Sequence, residues 1–206
     1  MGCHNEICEH AVIGGQPQHV ARPETVGQVL IGDHNVFREG VTVHRALKPD
    51  GQTIVGDHNY LMAAAHLGHD VQVGNHCILA NSALAGGHVQ IEDRAFVSGA
   101  VAIHQFCRIG RNCMIGGCSK VVQDALPFMI TDGNPAKTRF VNQEGLKRKG
   151  ISKDAQSALK QCYKWLCRDH LTTTKALEKM ESEFNGLEEI QHLAKFIRES
   201  ERGIAT

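Results

Sequence analysis

Between positions 66 and 105 the chain carries His66, His69, His76, His88 and His104, a carboxylate directly after an imidazole in the pair His69–Asp70, and the dipeptide Gly86–Gly87. A neutral imidazole accepts a proton at physiological pH, and a neighbouring carboxylate favours the imidazolium that forms. A glycine leaves its backbone N–H accessible. His69, Gly87 and Gln105 are spaced by 18 residues, with His88 and His104 one position to either side of that series. If the backbone stacks residues 18 apart, an imidazole, a carboxylate and a free N–H converge, and acid–base chemistry follows. Solvated histidines on an outward-facing surface are the competing reading. A metal centre is a second competitor, but two turns on from His69 and His88 stand Gln105 and Asp124 rather than further histidines, so no metal is expected.

The stacking comes from a six-residue frame. From Val55 the chain divides into VGDHNY, LMAAAH, LGHDVQ, VGNHCI, LANSAL, AGGHVQ, IEDRAF, VSGAVA, IHQFCR, IGRNCM, IGGCSK and VVQDAL without a slip. The first position is aliphatic or Ala85, and the fifth, from Asn59 to Ala125, is small to medium. An α-helix puts residues six apart on opposite sides, so it cannot keep one face at this period. A solenoid of short strands can. Each hexad makes one flat side, with the first residue inward, the fifth near the corner and Gly at the second suited to the turn. Three sides complete a coil, and neighbouring strands lie about 4.8 Å apart.

The frame extends back to Met1 through MGCHNE, ICEHAV and IGGQPQ, broken by insertions at PQHVARPE and within HRALKPDGQT. A chain that begins inside the repeat exposes a strand edge, which implies missing opening coils or another element covering that end. Past Pro127 the period is lost. Helices are expected over most of 142–200: one on KDAQSALKQCYKWLCRDH capped by Ser152, with Ala155, Leu159, Cys162 and Leu166 on one face, then about 174–184 and 187–200, parted near Gly186. This gives a solenoid domain over residues 1–139 and a helical domain over 140–206.

Composition narrows the function. Lys plus Arg and Asp plus Glu are both 22 in 206 residues, which leaves no basic field to attract nucleic acid. No apolar run approaches the roughly 20 residues of a spanning helix, and the start lacks a signal-peptide pattern, so a cytoplasmic protein is expected. None of the eight cysteines forms a CxxC pair, and Cys77, Cys107 and Cys113 fall on packing positions, which points to free thiols.

The stretches HNYLMAAAHLGHDVQVGNHCILANSALAGGHV, IHQFCRIG, IGGCSKVVQDALPFMITDGNPA and VNQEGLKRKG resemble the UDP-N-acetylglucosamine acyltransferases that begin lipid A synthesis. The resemblance spans nearly the whole chain and includes a segment outside the repeat. It implies a mainly β protein, a left-handed parallel β-helix followed by a C-terminal α-helical domain, assembled as a homotrimer with active sites between subunits. It implies a (3-hydroxy)acyl chain passing from acyl carrier protein, whose phosphopantetheine thioester is the donor, to the 3-hydroxyl of UDP-N-acetylglucosamine, with no bound cofactor. His69 would be the general base, Asp70 would orient it, and the Gly87 N–H would hold the oxyanion. His66, His88, His104 and Gln105 would line the substrate cleft, Asn142, Glu144 and Arg148 would meet the nucleotide, and Gly117 would leave room for a long acyl chain.

The early loop departs from the family, which commonly has Asp after Gln where this chain has Gln18–His19, followed by Val20 and Ala21 without a lysine. A different sugar nucleotide or donor on the same fold is therefore an alternative. So is a non-catalytic trimer that binds a nucleotide sugar.

Overall fold

The computed structural model describes residues 1–169 and 171–206. Its short strands form three parallel faces that the chain visits in turn, coil after coil. Face 1 holds Glu6–Ile7, Val36–Phe37, Tyr60–Leu61, Ile78–Leu79, Phe96–Val97 and Met114–Ile115. Face 2 holds Val12–Gly15, Thr42–His44, His66–Leu67, Leu84–Ala85, Ala102–Ile103 and Lys120–Val121. Gln28–Ile31, Gln52–Val55, Gln72–Val73, Gln90–Ile91 and Arg108–Ile109 make face 3. Ile78 pairs with Phe96, and Phe96 with Met114, so the coil length is the 18 residues that the frame requires.

Two positions of each hexad fill the interior. Leu61, Leu67, Val73 and Leu79 at the first position, and Ala65, Val71, Cys77 and Ala83 at the fifth, are all fully or almost fully buried. The fifth position is small because it turns into the corner, where three faces converge on little volume. Asn35 and Asn59 occupy it as buried polar residues, and each side chain accepts from the backbone of the next coil: the Asn59 N–H donates to Asn35 Oδ1 at 2.8 Å, and the Cys77 N–H to Asn59 Oδ1 at 2.7 Å.

The corner itself differs from the expectation. The left-handed residue is not the glycine at the second position but the residue at the fourth, with φ between 53° and 67° from His58 through Asn112. Among side chains, Asn, Asp and His are enriched in this region, and His4, His10, His34, His58, His76 and His88 all occupy it. Much of the histidine content is therefore corner chemistry. On the corner between faces 3 and 1, His4, His34, His58 and His76 stack with ring centroids 4.8 Å apart. The glycines at the second position serve close approach instead. A Cβ on Gly68 would stand 3.0 Å from the Gly87 nitrogen, and one on Gly86 3.0 Å from the Gln105 nitrogen.

Both insertions connect face 2 to face 3. One joins Val12–Gly15 to Gln28–Ile31 and the other joins Thr42–His44 to Gln52–Val55. They project from the corner that carries His69.

Parallel pairing continues slightly past Pro127: Met129–Gly133 adds to face 1, with Ile130 opposite Met114, and Ala136–Val141 returns antiparallel to it. Four helices follow, α1 at Gln143–Arg148, α2 at Lys153–Cys167, α3 at Thr173–Phe184 and α4 at Glu188–Arg198. Ser152 caps α2 as expected, its hydroxyl accepting from the Ala155 N–H at 3.1 Å; His170, placed in that helix by the sequence reading, lies outside the described residues. Leu159, Cys162, Trp165, Met180, Leu193 and Phe196 form a second core with Leu126, Phe128 and Met129 from the end of the solenoid. The tail then returns: Ile204 bridges to the fully buried Asp124, whose carboxylate accepts from the Arg108 N–H at 2.8 Å and the Ser200 hydroxyl at 2.7 Å.

Candidate functional site

The stacked series predicted from the spacing of 18 is present at the corner between faces 2 and 3. The His88 N–H donates to the His69 carbonyl at 3.0 Å, and the Phe106 N–H to the Gly87 carbonyl at 3.1 Å, which locks successive coils in register there. Asp70 holds the left-handed corner conformation with φ 61°. That turn brings its side chain back beside its own neighbour, and His69 Nδ1 lies 2.8 Å from Asp70 Oδ2.

Three further groups fix this pair. The Leu47 N–H, from the second insertion, donates to Asp70 Oδ2 at 3.0 Å, while Thr53 Oγ1 accepts from the Asp70 N–H at 2.9 Å. From the first insertion, His19 sets its ring edge-on to His69 at 5.6 Å between centroids. The Ala21 N–H donates to His19 Nδ1, which leaves the His19 proton on Nε2. With Nδ1–H committed to Asp70, the lone pair of His69 is on Nε2. That side of the ring lies over Gly87, where an added Cβ would meet His69 Cε1 at 2.6 Å and Nε2 at 2.7 Å. Gly87 is therefore glycine for space, and among the described residues its N–H has no acceptor.

Around this centre, His88 stands edge-on to His69 at 5.1 Å and stacks on the exposed Phe106 at 4.6 Å. Its Nε2 lies 3.7 Å from Asp70 Oδ2. Burial pushes its pKa below the ordinary imidazole value, against the pull of Asp70. His66, on face 2, bonds Thr42 Oγ1 through Nδ1 at 2.7 Å and faces His44 edge-on. Burial lowers the pKa of both, with His44 adding to the effect at His66 and His69 adding to it at His44, which favours the neutral form of each. His104 and Gln105 are exposed one coil on, and the tail brings the Arg202 guanidinium to 3.3 Å from His104 Nδ1. The buried thiols of the solenoid are not nucleophiles: burial raises Cys77 and Cys113 to about 12 and Cys107 to about 11.

The other predicted contacts lie elsewhere. Asn142, Glu144 and Arg148 line a cleft of about 490 Å³ with His76, Arg94, Phe96 and Met114, on the corner between faces 3 and 1. The Asn142 side chain is engaged there as the cap of α1, accepting from the Gly145 N–H and donating to the Asn112 carbonyl at 3.0 Å. Gly117 sits on the third corner, between faces 1 and 2, where an added Cβ would stand 3.6 Å from the Gly99 carbonyl. A single chain thus spreads the expected substrate contacts over all three corners. The sequence reading missed Thr53, Leu47 and His44, although counting hexads places both insertions on the corner of His69.

Comparisons with known proteins agree on one relationship. Residues 124–205 match the family model described as Udp N-acetylglucosamine O-acyltransferase; Domain 2. The acyl-[acyl-carrier-protein]–UDP-N-acetylglucosamine O-acyltransferase of Gloeothece citriformis is 40% identical over 97% of this chain and 72% of its own length. That of Burkholderia lata is 41% identical over 99% and 80%. The crystal structure of the UDP-N-acetylglucosamine acyltransferase from Bacteroides fragilis 9343 superposes with a TM-score of 0.96 at 38% identity, covering all of this chain and 80% of that one.

Proposed function

The chain belongs to the UDP-N-acetylglucosamine O-acyltransferases, and we propose that it moves an acyl group from acyl carrier protein to the sugar 3-hydroxyl at the corner of His69. The reaction is the first step of lipid A biosynthesis. The observation that carries the assignment is the His69 Nδ1–Asp70 Oδ2 hydrogen bond of 2.8 Å with the Gly87 backbone directly beneath the imidazole.

His69 Nε2 takes the proton of the hydroxyl as that oxygen attacks the thioester carbonyl. Asp70, held by the Leu47 N–H, stabilises the imidazolium. The carbonyl oxygen becomes an oxyanion, and the Gly87 N–H donates to it. Collapse breaks the C–S bond, and His69 returns the proton to the leaving sulfur. The products are the 3-O-acyl sugar nucleotide and the free carrier thiol, with no bound cofactor required.

Neutral His66 and His88 serve as donors or acceptors to substrate, with His104 and Gln105 extending the cleft. At the corner between faces 3 and 1, Phe96 and Met114 offer apolar surface to a base, Glu144 accepts from it, and the Arg148 fork suits a diphosphate. Gly117 leaves its corner open for an acyl chain. Because these parts occupy different corners, we assign the working unit to a homotrimer in which the His69 corner of one subunit meets the Arg148 corner of the next. No helix among the described residues is long and apolar enough to cross a membrane; we place the reaction in the cytoplasm, where a carrier-bound donor is soluble.

The test is purified protein with 3-hydroxyacyl carrier protein and a panel of UDP-sugars, products identified by mass. A 3-O-acylated UDP-N-acetylglucosamine is expected. Turnover only with another UDP-sugar would refute the acceptor, and none with any would refute catalysis.

A further inference from the structure

Two imidazoles from successive coils converge on one carboxylate oxygen. His69 Nδ1 is 2.8 Å and His88 Nε2 3.7 Å from Asp70 Oδ2, and one ligand atom from each of the three residues lies within 4.8 Å of the others. A tetrahedral zinc ion with bonds of about 2.0–2.1 Å spaces its ligand atoms roughly 3.3–3.4 Å apart. The two measured separations straddle that value, and the third, between the imidazoles, is bounded at 4.8 Å, so rotation of the two rings toward each other would complete the set. Asp70 is held by the Leu47 N–H, which donates to the same Oδ2, and by Thr53 Oγ1, which accepts from the Asp70 N–H, and His88 is braced by Phe106. The outer side of the cluster is open through His88, whose side chain is 37% exposed, leaving a fourth position for water.

We propose that His69, Asp70 and His88 form an inhibitory site for a soft divalent cation, for which zinc is the probe. The inhibitory part of the inference rests on His69 being the general base. In the working enzyme Nδ1 carries the proton and Nε2 the lone pair. Zinc on Nδ1 displaces that proton, which moves through solvent to Nε2, so the ring stays neutral and no net proton is released. Nε2 then has no lone pair to offer the sugar hydroxyl. Zinc also claims the Asp70 oxygen that would have stabilised the imidazolium. Magnesium, which favours six oxygen ligands, should not replace it.

Calorimetry with zinc chloride and the full chain tests the site without reference to turnover. The wild type is expected to bind one zinc tightly, and His88→Gln and Asp70→Asn to weaken that binding at least ~10-fold with unchanged folding by circular dichroism. The exposed stack of His4, His34, His58 and His76 is an alternative sink for zinc. His34→Ala with His58→Ala should therefore leave the tight binding and the inhibitory concentration where they were. In the acyltransfer assay, zinc but not magnesium should abolish turnover, and a chelator should restore it. Tight binding that survives His88→Gln, or that disappears with the stack variant, overturns the site. Binding at the site without loss of turnover overturns the tautomer mechanism. A chain that acylates no sugar but binds zinc through these residues would refute the enzymatic reading and keep the site.

Discussion

At the scale of single residues, the proposed mechanism rests on one atom, His69 Nε2, as the acceptor of the hydroxyl proton. His69→Ala is expected to lower kcat by roughly two to four orders of magnitude while nucleotide binding persists, as measured by turnover alongside calorimetry with UDP-N-acetylglucosamine. Gly87→Ala probes the same centre from beneath. Its Cβ would press on the imidazole at 2.6–2.7 Å, so the ring must move off the Asp70 carboxylate. Most turnover should be lost although the backbone there needs no left-handed conformation, and a near-wild-type rate would show that the ring tolerates displacement. His69, Gly87 and Gln105 were legible because a constant period converts spacing into stacking. Thr53 and the Leu47 N–H were not. They reach Asp70 from a strand and an insertion 17 and 23 residues away, outside the period of 18, and a backbone N–H leaves no mark on residue type. The other histidines at the fourth position fit the competing reading of outward-facing side chains, since their left-handed corner conformation accounts for them without any chemistry.

Elements were legible where local signals suffice. The inward first and fifth positions gave the coil, and the Ser152 cap with its apolar stripe gave α2, whereas the docking of helices onto the solenoid depends on pairs distant in sequence. Glu92 and His192, 100 residues apart, meet at 2.8 Å, and Arg108 lies both 3.5 Å from Glu92 and over the Phe196 ring. Burial would raise the Glu92 pKa, but the His192 hydrogen bond and charge, the Arg111 N–H and Arg108 outweigh it and hold the carboxyl below its ordinary value. A carboxyl with a depressed folded pKa contributes stability that is fully present above its unfolded value of about 4.3 and is lost as pH falls through the folded one. Acid should therefore loosen α4 from the coil below about pH 4. Glu92→Gln should lower the melting temperature at pH 7 and flatten its decline over that acid range. An unchanged slope in thermal melts would show that the pair does not hold the helices.

The whole molecule raises a problem that one chain does not solve. His69, the Arg148 cleft and Gly117 occupy three different corners of the same prism, so the proposed placement, with the reacting hydroxyl at His69 and the nucleotide at Arg148, requires a second copy to hold the nucleotide end. The family resemblance implies such a shared site, but the repeat alone does not, because stacking by 18 specifies who shares a corner and says nothing about which corners of separate subunits meet. Subunit mixing decides the matter. His69→Ala and Arg148→Ala proteins should each be nearly inactive alone. When they are denatured together and refolded at equal concentrations, a shared site receives intact His69 from one subunit and intact Arg148 from another in about a quarter of cases. Activity should return to about that fraction of wild type, and only in the mixture. If each site were built within one chain, every chain in the mixture would still carry a lesion, and refolding would restore nothing.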